Sequence, residues 1–165
     1  MHYSLVTVGR PPWPVVSLGD ALRGEDAEVD PRWPALVSHL RSLHEAGRRA
    51  IRIVDVNCGD GALLIHAVRE ARALGFLAVE GLGADSNGAA IKEARWRSHL
   101  LHDTGIGIEF EVAEPLVQLE VEAEFPVDIV LYHVPLQRSD RLQSAVVRAA
   151  RLALAKGVRS QGRLG

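Results

Sequence analysis

The 165-residue chain has a single cysteine, no long apolar run and no excess of charge of either sign. Because Cys58 is alone, no disulfide can form within the chain. No stretch approaches the roughly 20 apolar residues of a membrane span, and the first residues lack the basic region and apolar core of a signal peptide. Lys plus Arg number 19 and Asp plus Glu 21, so no global field draws the chain to nucleic acid. These absences predict a cytoplasmic protein without a membrane partner and give no support for a nucleic-acid partner.

Residues 51–61, with the sequence IRIVDVNCGDG, are the most informative segment. A β-branched run ends at Asp55, and a turn containing Gly59 and Gly61 follows before a helical pattern begins, as in strands that lead into nucleotide sites. Two carboxylates, Asp55 and Asp60, lie in this segment, whereas a pyrophosphate-binding turn offers amides and a helix N-terminus to an anion. We therefore expect the turn to bind a ligand that has cationic groups.

The hydrophobic pattern alternates between strands and helices after an N-terminal segment rich in proline. Residues 1–30 are expected to be extended, with a short strand at Tyr3–Val8, and residues 31–165 to form one domain. Asp30 and Pro31 predict the start of a first helix. The pattern then predicts strands at 50–56, at a segment ending at residue 85, at 106–113 and at 127–132, and helices at 61–73, 88–101 and 139–156. This order predicts a three-layer α/β/α fold with a mostly parallel sheet and a ligand at the carboxyl ends of the strands.

Two motifs in this order resemble those of the class I S-adenosylmethionine-dependent methyltransferases. The family's first motif, acidic-x-Gly-x-Gly-x-Gly, is here Asp55-x-Asn57-x-Gly59-x-Gly61, with one glycine replaced. Asp85 lies 24 residues after Gly61, close to the roughly 20-residue spacing of a ribose-binding carboxylate. The resemblance covers about residues 51 to 156. It implies a Rossmann-like fold, methyl transfer, S-adenosylmethionine as cofactor and S-adenosylhomocysteine as product.

The resemblance also implies roles for individual residues. In the family the glycine loop passes under the methionine part of the cofactor, the acid ending the second strand holds both ribose hydroxyls, and a residue after the third strand contacts the adenine amino group. The expected cofactor-binding residues are accordingly Asp55, Asn57, Cys58, Gly59, Asp60, Gly61, Asp85, Ser86 and Glu114. For Glu114 a solvated loop carboxylate is an equal alternative, and Cys58 is interpreted as a small buried residue rather than a nucleophile.

The acceptor side of the site is less well defined. The family builds the acceptor wall after the fourth strand, where this chain has Tyr132-His133-Val134-Pro135 instead of the Asn-Pro-Pro-Tyr of relatives that methylate amino groups. A small-molecule acceptor is therefore expected, with His133 as the catalytic general base because imidazole titrates near neutrality. A structural role for His133 stays open. No metal is expected: His99 and His102 could share a helix face, but the third candidate ligand, Asp103, is a neighbour in sequence only.

Two alternatives stay open at this point. A nicotinamide-binding Rossmann domain would need a small residue at Leu64, which fits poorly. A non-catalytic, methyltransferase-like binding or assembly module is favoured by Asn57 and by a sheet that looks C-terminally truncated, with only residues 162–165 left to begin a fifth strand. The fourth strand would then be an apolar sheet edge, and unpaired edges recruit further strands. This edge predicts a homo-oligomer, such as a homodimer.

Overall fold

The computed structural model describes residues 25–133 and 140–156. The expected strand at Tyr3–Val8 and the rest of residues 1–24 lie outside this part of the chain. The described residues form α1 (Glu25–Glu28), α2 (Trp33–Glu45), β1 (Ala50–Val56), α3 (Ala62–Leu74), β2 (Ala78–Asp85), α4 (Gly88–Ser98), β3 (Ile106–Val112), α5 (Pro115–Glu122), β4 (Val127–His133), α6 (Asp140–Ala149) and β5 (Ala150–Lys156). None of these helices is long and apolar enough to cross a membrane.

The five strands form one parallel sheet in the order β3-β2-β1-β4-β5. The chain builds outward from β1 to β2 and β3 on one side, and from β4 to β5 on the other, so the switch point lies between β1 and β4. Helices α1 to α4 pack on one face around Leu64 and Ile129, and α5 and α6 pack on the other around Val54 and Leu119. The predicted three-layer α/β/α fold is confirmed.

The C-terminal part of the described chain corrects the sequence prediction. A single helix was expected over residues 139–156, but the helix ends at Ala149 and residues 150–156 form β5, parallel to β4. The segment is ambiguous because Leu152 continues the helical spacing of α6, while Leu152 and Leu154 also alternate with exposed residues as in a strand. Pairing with β4 overrides the high helix propensity of leucine and alanine.

The presence of β5 also removes the reason given above for self-association. The apolar run Ile129-Val130-Leu131 was expected at a sheet edge, but all three residues pair with β5 and are fully buried. The edge argument for a homo-oligomer is therefore wrong. The oligomeric state itself stays a prediction, without that argument behind it.

Three helices differ from the sequence prediction. α2 starts at Trp33, because Asp30 turns back to accept a hydrogen bond from the backbone N–H of Arg32, and Pro34 occupies the first turn. α5 was not predicted, although an acidic residue followed by proline, Glu114-Pro115, is the same signal from which the start of the first helix was predicted. The predicted helix at 88–101 ends earlier, at Ser98.

Phe110 of β3 determines how closely the strand ends approach the glycine loop. Its ring is buried beside two glycines. A Cβ added at Gly61 would lie 2.6 Å from Phe110 Cζ, and one added at Gly83 would overlap the same ring and lie 3.0 Å from Cys58 Sγ. The absence of side chains at these two positions therefore allows β1, β2 and the loop to close over Phe110.

Gly83→Ala should lower the free energy of unfolding by about 1–3 kcal/mol, because the new methyl group forces Phe110 to move. Gly107→Ala is the matched control, since Gly107 is also a strand glycine but has no atom within 4 Å of a built Cβ. Its effect should stay within about 0.5 kcal/mol. Urea unfolding of both variants measures the difference, and equal losses would contradict the packing role of Gly83.

Candidate functional site

The loop after β1 is tied to the end of β2. The backbone N–H groups of Asn57 and Cys58 both donate to the carbonyl oxygen of Ala84, at 2.8 and 3.1 Å. Asn57, Gly59 and Gly61 have φ values of 65°, 58° and 75°. Among residues other than glycine, asparagine adopts this left-handed conformation most readily. Asn57 therefore preserves the loop conformation where the family motif has glycine, and it no longer favours a module that has lost its site.

Asp85 joins the loop to the start of α4. Its Oδ2 accepts a hydrogen bond from the Gly59 N–H at 2.9 Å, and its Oδ1 accepts one from the Asn87 N–H at 2.8 Å. Asn87 in turn caps α4 by accepting from the N–H groups of Ala89 and Ala90. The Asp85 carboxylate is half-buried, and each oxygen keeps a second lone pair for a ligand hydroxyl. The residue predicted as a ribose ligand is thus also a structural residue, which its spacing did not indicate.

The loop has an accessible side at Gly59 and a buried side at Cys58. A Cβ built at Gly59 meets no atom within 4 Å. Cys58 is buried, and burial, followed by the charges of Asp55 and Asp85, raises the pKa of its thiol. The thiol is therefore neutral, which agrees with its interpretation as a packing residue.

Asp60 is held within the chain. Its Oδ1 accepts a hydrogen bond from the Ala62 N–H at 3.2 Å, and its Oδ2 lies 2.8 Å from Arg97 Nη1 of α4. Its charge is thus paired at the first turn of α3. Asp55 is therefore the remaining candidate of the two carboxylates that were expected to attract a cationic ligand.

Asp55 is 1% exposed and is the penultimate residue of β1. Its Oδ1 has no hydrogen-bond partner among the described residues, and the nearest cation, Arg32 Nη1, is 3.6 Å away. Burial, together with the charges of Asp30 and Asp85, raises the pKa of Asp55 to about 7 against the attraction of Arg32 and Lys156. A buried carboxyl that titrates near neutrality, at the switch point of a parallel sheet, is a feature of functional sites.

Arg32 is a site residue that the sequence did not reveal, because it precedes α2 and belongs to no motif. Its guanidinium is held by Asp30 through Nε at 2.9 Å and Nη2 at 3.0 Å, and its Nη1 lies 3.4 Å from the Tyr132 carbonyl oxygen. Lys156 Nζ at the end of β5 lies 3.3 Å from Asp30 Oδ2. Burial alone would raise the pKa of Asp30, but hydrogen bonds from Arg32 outweigh it and lower the pKa to about 2.

The remaining predicted residues lie around the same edge of the sheet. Ser86 and Glu114 are exposed, and the N–H of Ala113 donates to the Asp85 carbonyl oxygen at 3.1 Å, so the β3 and β2 ends meet. His133 ends β4 and is half-buried. Burial, and then the charges of Arg32 and Lys156, lower the pKa of His133, so its imidazole is neutral at pH 7. No group of three or more potential metal ligands occurs in the described ranges.

Asp55→Asn should change how the stability of the protein depends on pH. The pKa of Asp55 rises from 3.8 to about 7 on folding. The contribution of this protonated carboxyl is therefore complete below pH 3.8 and is lost as the pH rises through 7. Between pH 5 and 8, wild type should lose roughly 2–3 kcal/mol more than Asp55→Asn. Denaturant unfolding at several pH values measures this, and parallel curves would contradict the assignment.

No protein-family profile matches the chain. The type II methyltransferase M.BanIII of Aneurinibacillus aneurinilyticus is 28% identical over a match that covers 72% of this chain and 22% of that protein. The chain therefore spans about a fifth of this curated relative.

Solved structures share the fold. A class I S-adenosylmethionine-dependent methyltransferase from Listeria monocytogenes superposes with a TM-score of 0.53 at 17% identity, over 76% of this chain and 35% of that one. Magnesium protoporphyrin IX methyltransferase from Synechocystis, solved with S-adenosylhomocysteine, gives a TM-score of 0.49 at 19% identity, over 77% and 56%. The superposition on the Listeria methyltransferase shows that the chain has a Rossmann-like fold, as the resemblance implied.

Proposed function

We propose that this chain binds S-adenosylmethionine and transfers its methyl group to an acceptor. The observation that carries the proposal is Asp55 Oδ1, a fully buried oxygen without a hydrogen-bond partner among the described residues, at the switch point beside the glycine loop. A buried carboxylate oxygen without a hydrogen-bond donor is costly, and the ammonium group of the cofactor would provide the missing donor. The identity to a type II methyltransferase supports methyl transfer.

The residues around the switch point fit this cofactor. Gly59 leaves its side of the loop open for the methionine part. Asp85 would accept hydrogen bonds from the ribose hydroxyls, and Ser86 and Glu114 would border the adenine beyond it. When bound, the cofactor supplies an electrophilic methyl group on a sulfonium. The chain contributes mainly by aligning the reacting atoms and excluding water.

The acceptor that we propose is a small molecule with a proton to lose, such as a hydroxyl or thiol compound. His133 lies at the end of β4, beside the switch point, with its imidazole in the neutral form. A neutral imidazole can remove a proton from an acceptor as the methyl group is transferred. We therefore propose His133 as the general base.

Asp85→Asn should weaken binding of S-adenosylhomocysteine at least tenfold, because loss of one charged hydrogen bond to the ribose is worth about 1.5 kcal/mol or more. The amide also cannot accept from both the Gly59 and Asn87 N–H groups, so the free energy of unfolding should fall by about 1–3 kcal/mol. Calorimetric titration measures the affinity, and circular dichroism checks the fold.

Glu109→Gln is the control for this variant, since it removes an exposed carboxylate from β3, away from the glycine loop. Its affinity should match that of wild type. Equal affinities for folded wild type and Asp85→Asn would contradict the ribose assignment. Absence of binding by wild type would contradict the proposed function.

His133→Ala should lower methyl transfer by about 100-fold or more, the usual contribution of a general base. Its affinity for S-adenosylhomocysteine should change less than about twofold, since the expected cofactor residues follow β1, β2 and β3. Transfer of labelled methyl groups into the small-molecule fraction of a cell extract, compared with wild type, gives the measurement. Unchanged transfer would return His133 to a structural role, and transfer to protein or nucleic acid alone would contradict a small acceptor.

A further inference from the structure

Four charged side chains form a continuous chain across the carboxyl ends of β1, β4 and β5. Asp55 Oδ1 lies 3.6 Å from Arg32 Nη1, Arg32 is paired with Asp30, and Asp30 lies 3.3 Å from Lys156 Nζ. Two of these charges are negative and two are positive. Asp30, Arg32 and Asp55 are buried, with 8%, 6% and 1% exposure. Such an arrangement buries charges without a net charge, which is the condition under which proteins tolerate them.

Arg32 has little freedom to move within this chain. Asp30 binds it through both Nε and Nη2 and also accepts a hydrogen bond from its backbone N–H at 2.9 Å. The remaining nitrogen, Nη1, lies between the Tyr132 carbonyl oxygen at 3.4 Å and Asp55. The guanidinium is therefore fixed at the boundary between β1 and β4.

The contact between Arg32 and Asp55 is electrostatic rather than a hydrogen bond. At 3.6 Å it lies beyond normal hydrogen-bond length, and Asp55 Oδ1 has no other partner among the described residues. Arg32 thus favours the carboxylate form of Asp55 while leaving the lone pairs of Oδ1 free for another donor. A direct hydrogen bond would have used the oxygen that a ligand needs.

We infer that Arg32 is a positioning residue that favours the charged form of Asp55 and leaves its Oδ1 free to bind the ammonium group of the cofactor. This inference rests on the proposed function and adds a residue outside the glycine motif to it. Asp30 is the clamp that keeps Arg32 in place. Arg32 does not touch the cofactor, so its effect on binding should depend on the protonation of Asp55.

The other groups that act on Asp55 come from every neighbouring element. Asp30 precedes α2 and Asp85 ends β2, and both negative charges oppose ionisation of Asp55. Lys156 at the end of β5 favours it, as Arg32 does. Cys58 in the loop and His133 on β4 are neutral at pH 7. Removal of Arg32 therefore removes the larger of the two favourable charges.

The test is the affinity for S-adenosylhomocysteine, which has the same ammonium group, measured by calorimetry from pH 6 to 8.5. Binding by wild type should strengthen as the pH rises through about 7, where Asp55 loses its proton. Arg32→Gln should move this rise upward by about one pH unit or more and weaken binding about tenfold at pH 7. Arg32→Lys, which keeps the charge, should remove most of this shift. Arg41→Gln, an exposed site on α2, controls for net charge.

The amine of the ligand titrates identically with every variant, so differences between variants report the protein. A loss in Arg32→Gln that is equal at all pH values would overturn the inference, since it would indicate direct contact or structural damage. An unchanged profile would overturn it as well, with the proposed function intact. Absence of binding by wild type would overturn both.

A measurement on wild type keeps the inference testable if Arg32→Gln does not fold. The ¹³C carboxyl resonance of Asp55 reports its protonation directly. Saturating S-adenosylhomocysteine should lower the pKa of Asp55 by about one unit or more, because an ammonium group then faces the carboxylate. A resonance that titrates identically with and without ligand would overturn the inference.

Discussion

The constraint on which this site depends is the burial of Asp55 at the end of a central strand. β1 lies in the middle of the sheet and is covered on both faces, so a carboxylate there is removed from water and is costly to ionise. The charge of Arg32, which lies before α2 and outside the alternating strands and helices, offsets this cost. Arg32 in turn is neutralised by Asp30. The region before α2 is therefore part of the site as well as part of the fold.

The glycine loop shows how packing and binding use the same residues. Gly61 and Gly83 leave room for the Phe110 ring, which lets the ends of β1 and β2 approach. Asp85 then reaches the Gly59 N–H and fixes the loop against the start of α4. The carboxylate proposed to hold ribose is thus oriented before any ligand binds. Such preorganisation lowers the cost of ordering the site on binding.

The sequence predicted the elements whose signals are local. The β-branched run of β1 and the glycine turn after it gave the strand, the loop and α3 within a residue or two. The sequence prediction failed at residues 150–156, because this segment fits both a helical and a strand pattern. Pairing with β4 decides between the two. It also missed Arg32, since contacts between residues 32 and 55 depend on the fold and leave no spacing to recognise.

The misread strand has a consequence for the electrostatics of the site. As the end of a helix, Lys156 would have no defined relation to the other charges, but as the last residue of β5 it lies at the same edge of the sheet as Asp55. There it pairs with Asp30 and contributes to the low pKa of His133. One parallel strand thus completes the chain of charges and helps to lower the pKa of the proposed base. The secondary structure of these seven residues therefore contributes to the titration of a side chain on the neighbouring strand, in addition to the larger effect of burial.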